Sequence, residues 1–247
     1  MKILLAGESW TTISTHVKGF DTFTTSVYEE GCTDFIQAVQ SSGTEVTFLP
    51  NHLAPTQFPT TMEQLEAYDV VVLSDIGANT LLLPPEVFMQ QRKFPNRLKL
   101  LERWVRSGGN LLMVGGYLSF QGIEGKANYR GTPIEDLLPI SMRDGDDRIE
   151  SPEGLHPHVK HAEFFESIQG SWPCILGYQS VTCKPGSSTI LSVQETGDPL
   201  LVVGEHGKGR AAAFTSDMGP HWLSAEFMGW SFYPALWNAI LSWMTHR

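Results

Sequence analysis

Residues 111–122 read Leu111-Leu-Met-Val-Gly-Gly-Tyr-Leu-Ser-Phe-Gln-Gly122, a four-residue apolar run that stops in two glycines and then presents Tyr117. An apolar strand followed by a Gly-flanked sharp turn is how many α/β enzymes lift a Ser or Cys nucleophile out at the carboxyl edge of a sheet. Here the lifted residue is a phenol. A phenol is a poor acyl carrier, and the ring displaces its oxygen from the place where an attacking atom would stand beside backbone N–H groups. The competing reading takes Gly115 and Gly116 as a tight packing turn and Tyr117 as a cleft wall.

The neighbouring segments repeat the strand and helix alternation. Lys2 to Ala6 reads as a short buried strand, with Gly7-Glu8-Ser9-Trp10 as the turn leaving it. Thr33 to Ser42 places Phe35, Ile36 and Val39 on one helical face, with Gly43 where a C-cap belongs, and Glu45 to Leu49 resumes as a strand. Thr61 opens a short helix, and Asp69 to Ser74 is a β-branched strand ending at Asp75. Asn96 to Ser107 carries Leu98, Leu101, Trp104 and Val105 on a helical stripe, stopped by Gly108 and Gly109. Four strands alternating with helices imply right-handed parallel crossovers and a doubly wound, mostly parallel α/β sheet.

From Gly122 to about Ser187 the periodicity fades under Pro133, Pro139, Pro152, Pro157 and Pro173, so this stretch reads as an irregular insertion. Leu200 to Val203 and Ala211 to Thr215 flank a Gly-rich turn and predict a C-terminal β-hairpin. Tyr233 to Met244 predicts a closing helix with Leu236, Ala239, Ile240 and Trp243 inward. The expectation is a single domain over residues 1–247 with its insertion at about 122–187.

Composition narrows the function classes. A net charge of -10, from 17 Lys and Arg against 27 Asp and Glu, repels phosphate backbones and argues against nucleic acid as a partner. Four apolar residues near the amino terminus are too few for a signal-peptide core or a membrane span, and three unpaired-looking cysteines, Cys32, Cys174 and Cys183, suit a reducing compartment. A cytoplasmic protein with no membrane partner is expected.

Ligands in open α/β sheets bind at the carboxyl ends of the strands, near the point where strand order reverses. That rule selects Glu8, Ser9 and Trp10, then Asp75 and Asn79, then Gly116, Tyr117, Ser119 and Gln121, and lastly Asp217, His221 and Trp222. Asp75 and Asp217 could equally cap the turns that follow them, and Ser119, two residues past Tyr117, is expected to point away from the turn. Asp217 and His221 are the candidate acid and base. No cofactor and no metal is expected. His156, His158 and His161 with Glu163 match no zinc spacing and read as an exposed loop, Arg143 to Arg148 reads as a solvated turn, and Gly204 to Arg210 lacks the order of a phosphate loop.

Three segments carry a resemblance: Ser74-Asp-Ile-Gly-Ala-Asn-Thr80, Gly115-Gly-Tyr-Leu-Ser-Phe-Gln-Gly122 and Phe214-Thr-Ser-Asp-Met-Gly-Pro-His-Trp222, supported by Gly7 to Trp10 and Thr15 to Phe20. With them the chain resembles the putative glutamine amidotransferase family within the class I glutamine amidotransferase-like superfamily, over nearly its full length. The resemblance implies a flavodoxin-like doubly wound sheet. Active members of the superfamily resemble one another in an elbow Cys with a late His and Glu. This chain places Tyr117 there, has no cysteine in the turn, and has no His-x-Glu at His221.

Three functions remain open at this point. The first is a cleft that kept its shape, lost its thiol and binds a small polar ligand, carbohydrate being one candidate because Trp10, Tyr117 and Trp222 offer flat faces. The second is a hydrolase using Asp217 and His221. The third is a non-catalytic assembly domain forming a homo-oligomer.

Overall fold

The structure is a computed structural model in which residues 1–245 are described. The described strands are β1 (Lys2–Gly7), β2 (Ser9–Lys18), β3 (Asp21–Glu30), β4 (Glu45–Leu49), β5 (Val70–Ser74), β6 (Asn110–Val114) and β7 (Ile140–Met142), followed by β8 (Arg148–Leu155), β9 (Pro157–Val159), β10 (Ile175–Gln179), β11 (Val181–Cys183), β12 (Ser188–Val193), β13 (Pro199–His206) and β14 (Gly209–Phe214). Eight of them form one sheet in the order β4-β1-β5-β6-β14-β13-β12-β9.

The first five are parallel neighbours. Taken in chain order they run 2-1-3-4-5, the flavodoxin-like arrangement, whose order reverses between β1 and β5. Parallel strands covered on both faces read as continuous apolar runs, and the side chains divide accordingly. Ile3, Leu5, Val70, Val72, Leu112 and Val114 point into one core, while Leu4, Ala6, Val71, Leu73, Leu111 and Met113 point into the other. The first core is closed by the helices Thr33–Gln40 and Tyr233–Thr245, where Phe35 meets Trp237 edge-on at 5.0 Å. The second is closed by the helix Arg97–Ser107, whose start is capped by the Asn96 side chain accepting from the Lys99 amide at 3.0 Å. Gly108 ends that helix at φ 126°, a conformation that favours glycine.

Four expectations need correction. Gly7 still belongs to β1 and only Glu8 breaks the chain before it re-enters a strand at Ser9, and β2 pairs with β3 along ten residues as a separate two-stranded arm. The helix at 33 ends with Ser41 as its cap, so Gly43 lies beyond it. The segment 122–187 is not irregular: it forms the ribbons β8–β10 and β7–β11 and supplies β9, which extends the main sheet beside β12. On the closing helix Leu236 and Ile240 are buried as expected, but Trp237, Leu241 and Met244 are buried too, while Ala239 and Trp243 are only partly covered. The C-terminal hairpin is present as β13 and β14, in register from Leu201 opposite Phe214 to His206 opposite Gly209. No described helix is long and apolar enough to cross a membrane.

Candidate functional site

Both strands at the reversal point end in a strained turn bearing an acid. Glu8 follows β1 at φ 45° and Asp75 follows β5 at φ 46°. Side chains other than glycine rarely adopt such angles, and their pairing at one sheet edge is the kind of backbone cost that a surrounding structure must hold in place. Asn51, just past β4, does the holding: its side-chain amide donates to the Ser9 carbonyl at 2.7 Å and to the Asp75 carbonyl at 2.9 Å, while its backbone amide donates to Ser9 Oγ at 2.8 Å.

The carboxyl of Glu8 is 2 % exposed and accepts a hydrogen bond from Ser74 Oγ at 2.5 Å. Burial, reinforced by the nearby Asp75 carboxylate and opposed by Ser74, pushes it up to about 8. Asp217, following β14, is 3 % exposed and accepts from the amides of Met218 at 2.6 Å and Gly219 at 3.2 Å. Burial, then the charges of Glu8 and Asp75, raise it well above the ordinary carboxylate range. Asp75 is raised as well, by burial, against the Leu118 amide and His221, which pull it down. Three strand-end acids thus share one electrostatic neighbourhood, and all three are raised above the ordinary carboxylate range, Glu8 to about 8.

Glycines give these acids their room. A Cβ on Gly31 would stand 2.5 Å from Glu8 Oε1, and one on Gly116, at φ 144°, would stand 3.0 Å from Asp75 Oδ1. The elbow is therefore packed directly on Asp75. Its next amide, Leu118 N–H, donates to Asp75 Oδ1 at 2.5 Å. In a nucleophile elbow, the N–H after the nucleophile is an oxyanion donor; here a carboxylate of the chain itself occupies it.

Aromatic rings form the rim. Trp10 is partly covered, lies 5.1 Å from the exposed His221 ring, and donates its Nε1–H to Glu29 at 3.0 Å. Tyr117 is 43 % exposed, sits 6.5 Å from His221 with near-parallel rings, and donates its hydroxyl to Glu150 at 2.9 Å. The Arg148 guanidinium lies over the Tyr117 ring at 4.9 Å.

Several expected site residues take other roles. Ser9 is buried and its hydroxyl accepts from Asn51. Ser119 is buried with its hydroxyl accepting from the Asp75 amide at 3.0 Å, so it points toward the turn at Asp75 and supports it. Trp222 is 2 % exposed, donates to Glu150 at 3.2 Å and lies tight on Gly177, which makes it a wall and not an open platform. Asn79 stands exposed on the helix Ala78–Leu82 and joins none of the carboxyl contacts. His221 has an unusual backbone, φ 99°, and its Nδ1 lies 4.0 Å from Asp217 Oδ2, beyond hydrogen-bond length. Gln121 is buried, its side chain accepting from the Arg130 amide.

The stretch Arg143 to Arg148 also differs from a solvated turn. Asp147 is fully buried and accepts from the amides of Gln121 at 2.9 Å and Gly122 at 2.8 Å, clamping the segment after the elbow. Sequence reasoning passed over Gln179 as well. Its side-chain amide donates to the Gly116 carbonyl while its Oε1 is buried without a protein partner. Asn51 could have been found, since it follows the end of β4 just as Ser9 follows β1. Gln179, Arg148 and Glu150 come from the segment whose periodicity is broken by prolines and carried no local signal.

His156 pairs with Glu195 at 2.8 Å and His161 with Glu163 at 2.9 Å, so the histidines of this segment are divided between different carboxylates. Among the described residues no group of three or more His, Cys, Asp or Glu is arranged to hold a metal ion. A cleft of about 860 Å³ lies at the opposite edge of the sheet, lined by residues including His161, Glu205, Arg210 and Trp243. Of the strand-end acids, Glu8 and Asp217 by contrast are buried and Asp75 is partly covered, with His221 and Tyr117 as exposed residues nearby.

The family described as Putative glutamine amidotransferase matches residues 2–246. The chain belongs to that family. Two solved structures from Salmonella typhimurium are similar to this glutamine amidotransferase-like chain throughout: cytoplasmic protein STM3548, 41% identical with a TM-score of 0.95 over all of both chains, and cytoplasmic protein STM1381 of strain LT2, 42% identical with a TM-score of 0.93 over 99% of this chain and all of that one. A β-galactosidase from Rahnella sp. R3 is 14% identical with a TM-score of 0.53, over 85% of this chain and 26% of that one, which is a likeness of fold alone. Among curated proteins nothing matches.

Proposed function

We propose that this amidotransferase-like protein binds a small polar, uncharged ligand at the carboxyl ends of β1, β5 and β14, without thiol chemistry, and that it works in the cytoplasm. The observation that carries the reading is the convergence of Glu8, Asp75 and Asp217, all with raised pKa, beneath Trp10, Tyr117 and His221. A protonated carboxyl both donates and accepts hydrogen bonds, which suits hydroxyl groups, and the Trp10 and Tyr117 rings suit the apolar face of a sugar or polyol. His221, exposed and set on a strained backbone, is the group that would move to admit it.

Two features argue against glutaminase chemistry. Tyr117 stands at the elbow, and the Leu118 N–H beside it is taken by Asp75. Of the three free cysteines, Cys32 is the one electrostatically close to Glu8, and burial, then Glu8 and Glu30, push its thiol up to about 12, far from a working thiolate. Calorimetric titration with a panel of neutral sugars, polyols and amino acids tests the proposal. Heat on adding a neutral sugar or polyol, lost in Asp217→Asn, supports it; a response confined to charged amino acids, or none, counts against it. A hydrolytic reading draws on one observation, the Glu8 pKa of about 8, which suits a general acid. Turnover of a glycoside that disappears in Glu8→Gln would favour it over binding alone.

A further inference from the structure

Three of the four rings around the site give their polar hydrogen to a carboxylate. Trp10 Nε1–H donates to Glu29 at 3.0 Å, the Tyr117 hydroxyl donates to Glu150 Oε1 at 2.9 Å, and Trp222 Nε1–H donates to that same Glu150 oxygen at 3.2 Å. The rings are neighbours. Tyr117 lies 5.9 Å from Trp222 and 6.5 Å from His221, and His221 lies 5.1 Å from Trp10. These three rings therefore offer a ligand their faces and not their donors. Burial, then the hydrogen bond and charge of Glu150, hold the Tyr117 phenol above its ordinary range against the pull of Arg148, so it stays a donor. Hydrogens for the exposed carboxylates Glu29 and Glu150 must come from the ligand, and hydroxyl groups supply them.

Building on the binding function proposed above, on which this rests, we infer that Glu150 sets which ligands the cleft accepts. It holds Tyr117 and Trp222 through one oxygen and presents a negative charge at the mouth, admitting neutral polyhydroxylated molecules and turning away their carboxylate- or phosphate-bearing counterparts. The charges around it do not cancel. Arg148, over the Tyr117 ring, donates to both oxygens of Asp146 at 3.0 and 2.9 Å and lies 3.7 Å from Glu150 Oε2. One guanidinium thus faces two carboxylates, which leaves one negative charge over. Across the mouth, Glu29 and its neighbour Glu30, which accepts from Tyr28 at 2.8 Å, are exposed and join no ion pair among the described residues. A like charge placed against a competing ligand discriminates by repulsion, and the net charge of -10 over the whole chain adds to it.

Calorimetric titration of the full chain at about pH 7.5 and about 20 mM salt tests the inference with three matched pairs: glucose and glucuronate, galactose and galacturonate, glucitol and gluconate. The expected result is that the neutral member of at least one pair binds and its acid binds at least about tenfold more weakly. Glu150→Gln, whose amide oxygen still accepts from both rings, should keep the neutral affinity within about twofold while shrinking that ratio roughly two- to fivefold, as loss of one exposed charge does. Glu150→Ala removes the acceptor too and should weaken the neutral member as well, with thermal melting showing the fold intact. Raising the salt to about 0.5 M should narrow the wild-type ratio. Equal binding of both members of a pair, or a ratio unchanged in Glu150→Gln, overturns the inference and leaves the binding function standing. Neutral affinity unchanged in Glu150→Ala overturns the role in holding the walls. No binding of any neutral probe removes the proposed function itself, and the role of Glu150 with it.

Discussion

Glu8 is the residue whose chemistry departs furthest from its ordinary behaviour while remaining measurable. Its folded pKa of about 8 lies above its ordinary value of 4.5, so between those values the folded state holds a proton that the unfolded state has released. Stability from this group is therefore complete below about pH 4.5 and is lost as pH rises through 8. Asp217, raised in the same direction, adds to the slope. Melting temperature should fall between pH 5 and 9, and Glu8→Gln should flatten the fall and melt higher than wild type at pH 9; an unchanged slope in the variant would assign the effect elsewhere. Tyr117 supplies a second test at this scale. Tyr117→Cys returns a thiol to the elbow but leaves Leu118 N–H bound to Asp75, so the account expects no ammonia release from glutamine by that variant, and measurable glutaminase turnover would contradict it.

At the scale of elements, the turns after β1 and β5 are held by Asn51 and by the glycines around them. Asn51→Ala removes two side-chain hydrogen bonds to backbone carbonyls and should cost about 1–3 kcal/mol in urea unfolding, with Glu8 titrating at a shifted pH as its turn relaxes. Gly31→Ala should cost stability by driving a methyl group against the Glu8 carboxyl. The elements that place these turns were legible in the sequence because they are buried on both faces. Val70 to Ser74 and Leu111 to Val114 stand out as apolar runs, and Asn96 and Gly108 mark both ends of one helix. The arm was not legible for the opposite reason. Its strands face water on both sides, so no buried face imposes a period of two, and Thr and Ser fill positions where a core strand would alternate. The strand-end rule selected Glu8, Asp75, Asp217 and Tyr117, which the structure places near one another at one sheet edge, but it could not tell them from side chains turned back to brace the loop, as Ser9 and Ser119 are.

Across the whole molecule, the flavodoxin-like order brings β1 and β5 together at the reversal point and carries β14 to the same edge, which is why residues as distant in sequence as Glu8 and Asp217 influence one another's protonation. The segment 122–187 then adds Glu150, Arg148 and Gln179 over the elbow, so the site is assembled from both halves of the chain. Membership in the amidotransferase-like family accounts for the scaffold, while the phenol at the elbow and the occupied Leu118 amide support the proposal that this chain works without thiol chemistry. The most direct test of the central claim is two-dimensional NMR of the wild type titrated with neutral sugars and polyols at pH 6.5. The account predicts saturable shifts centred on Glu8, Trp10, Leu118, Asp217 and His221 that vanish in Asp217→Asn; shifts confined to the cleft at the opposite edge, around Glu205 and Trp243, or no shifts with any of these ligands, would contradict it.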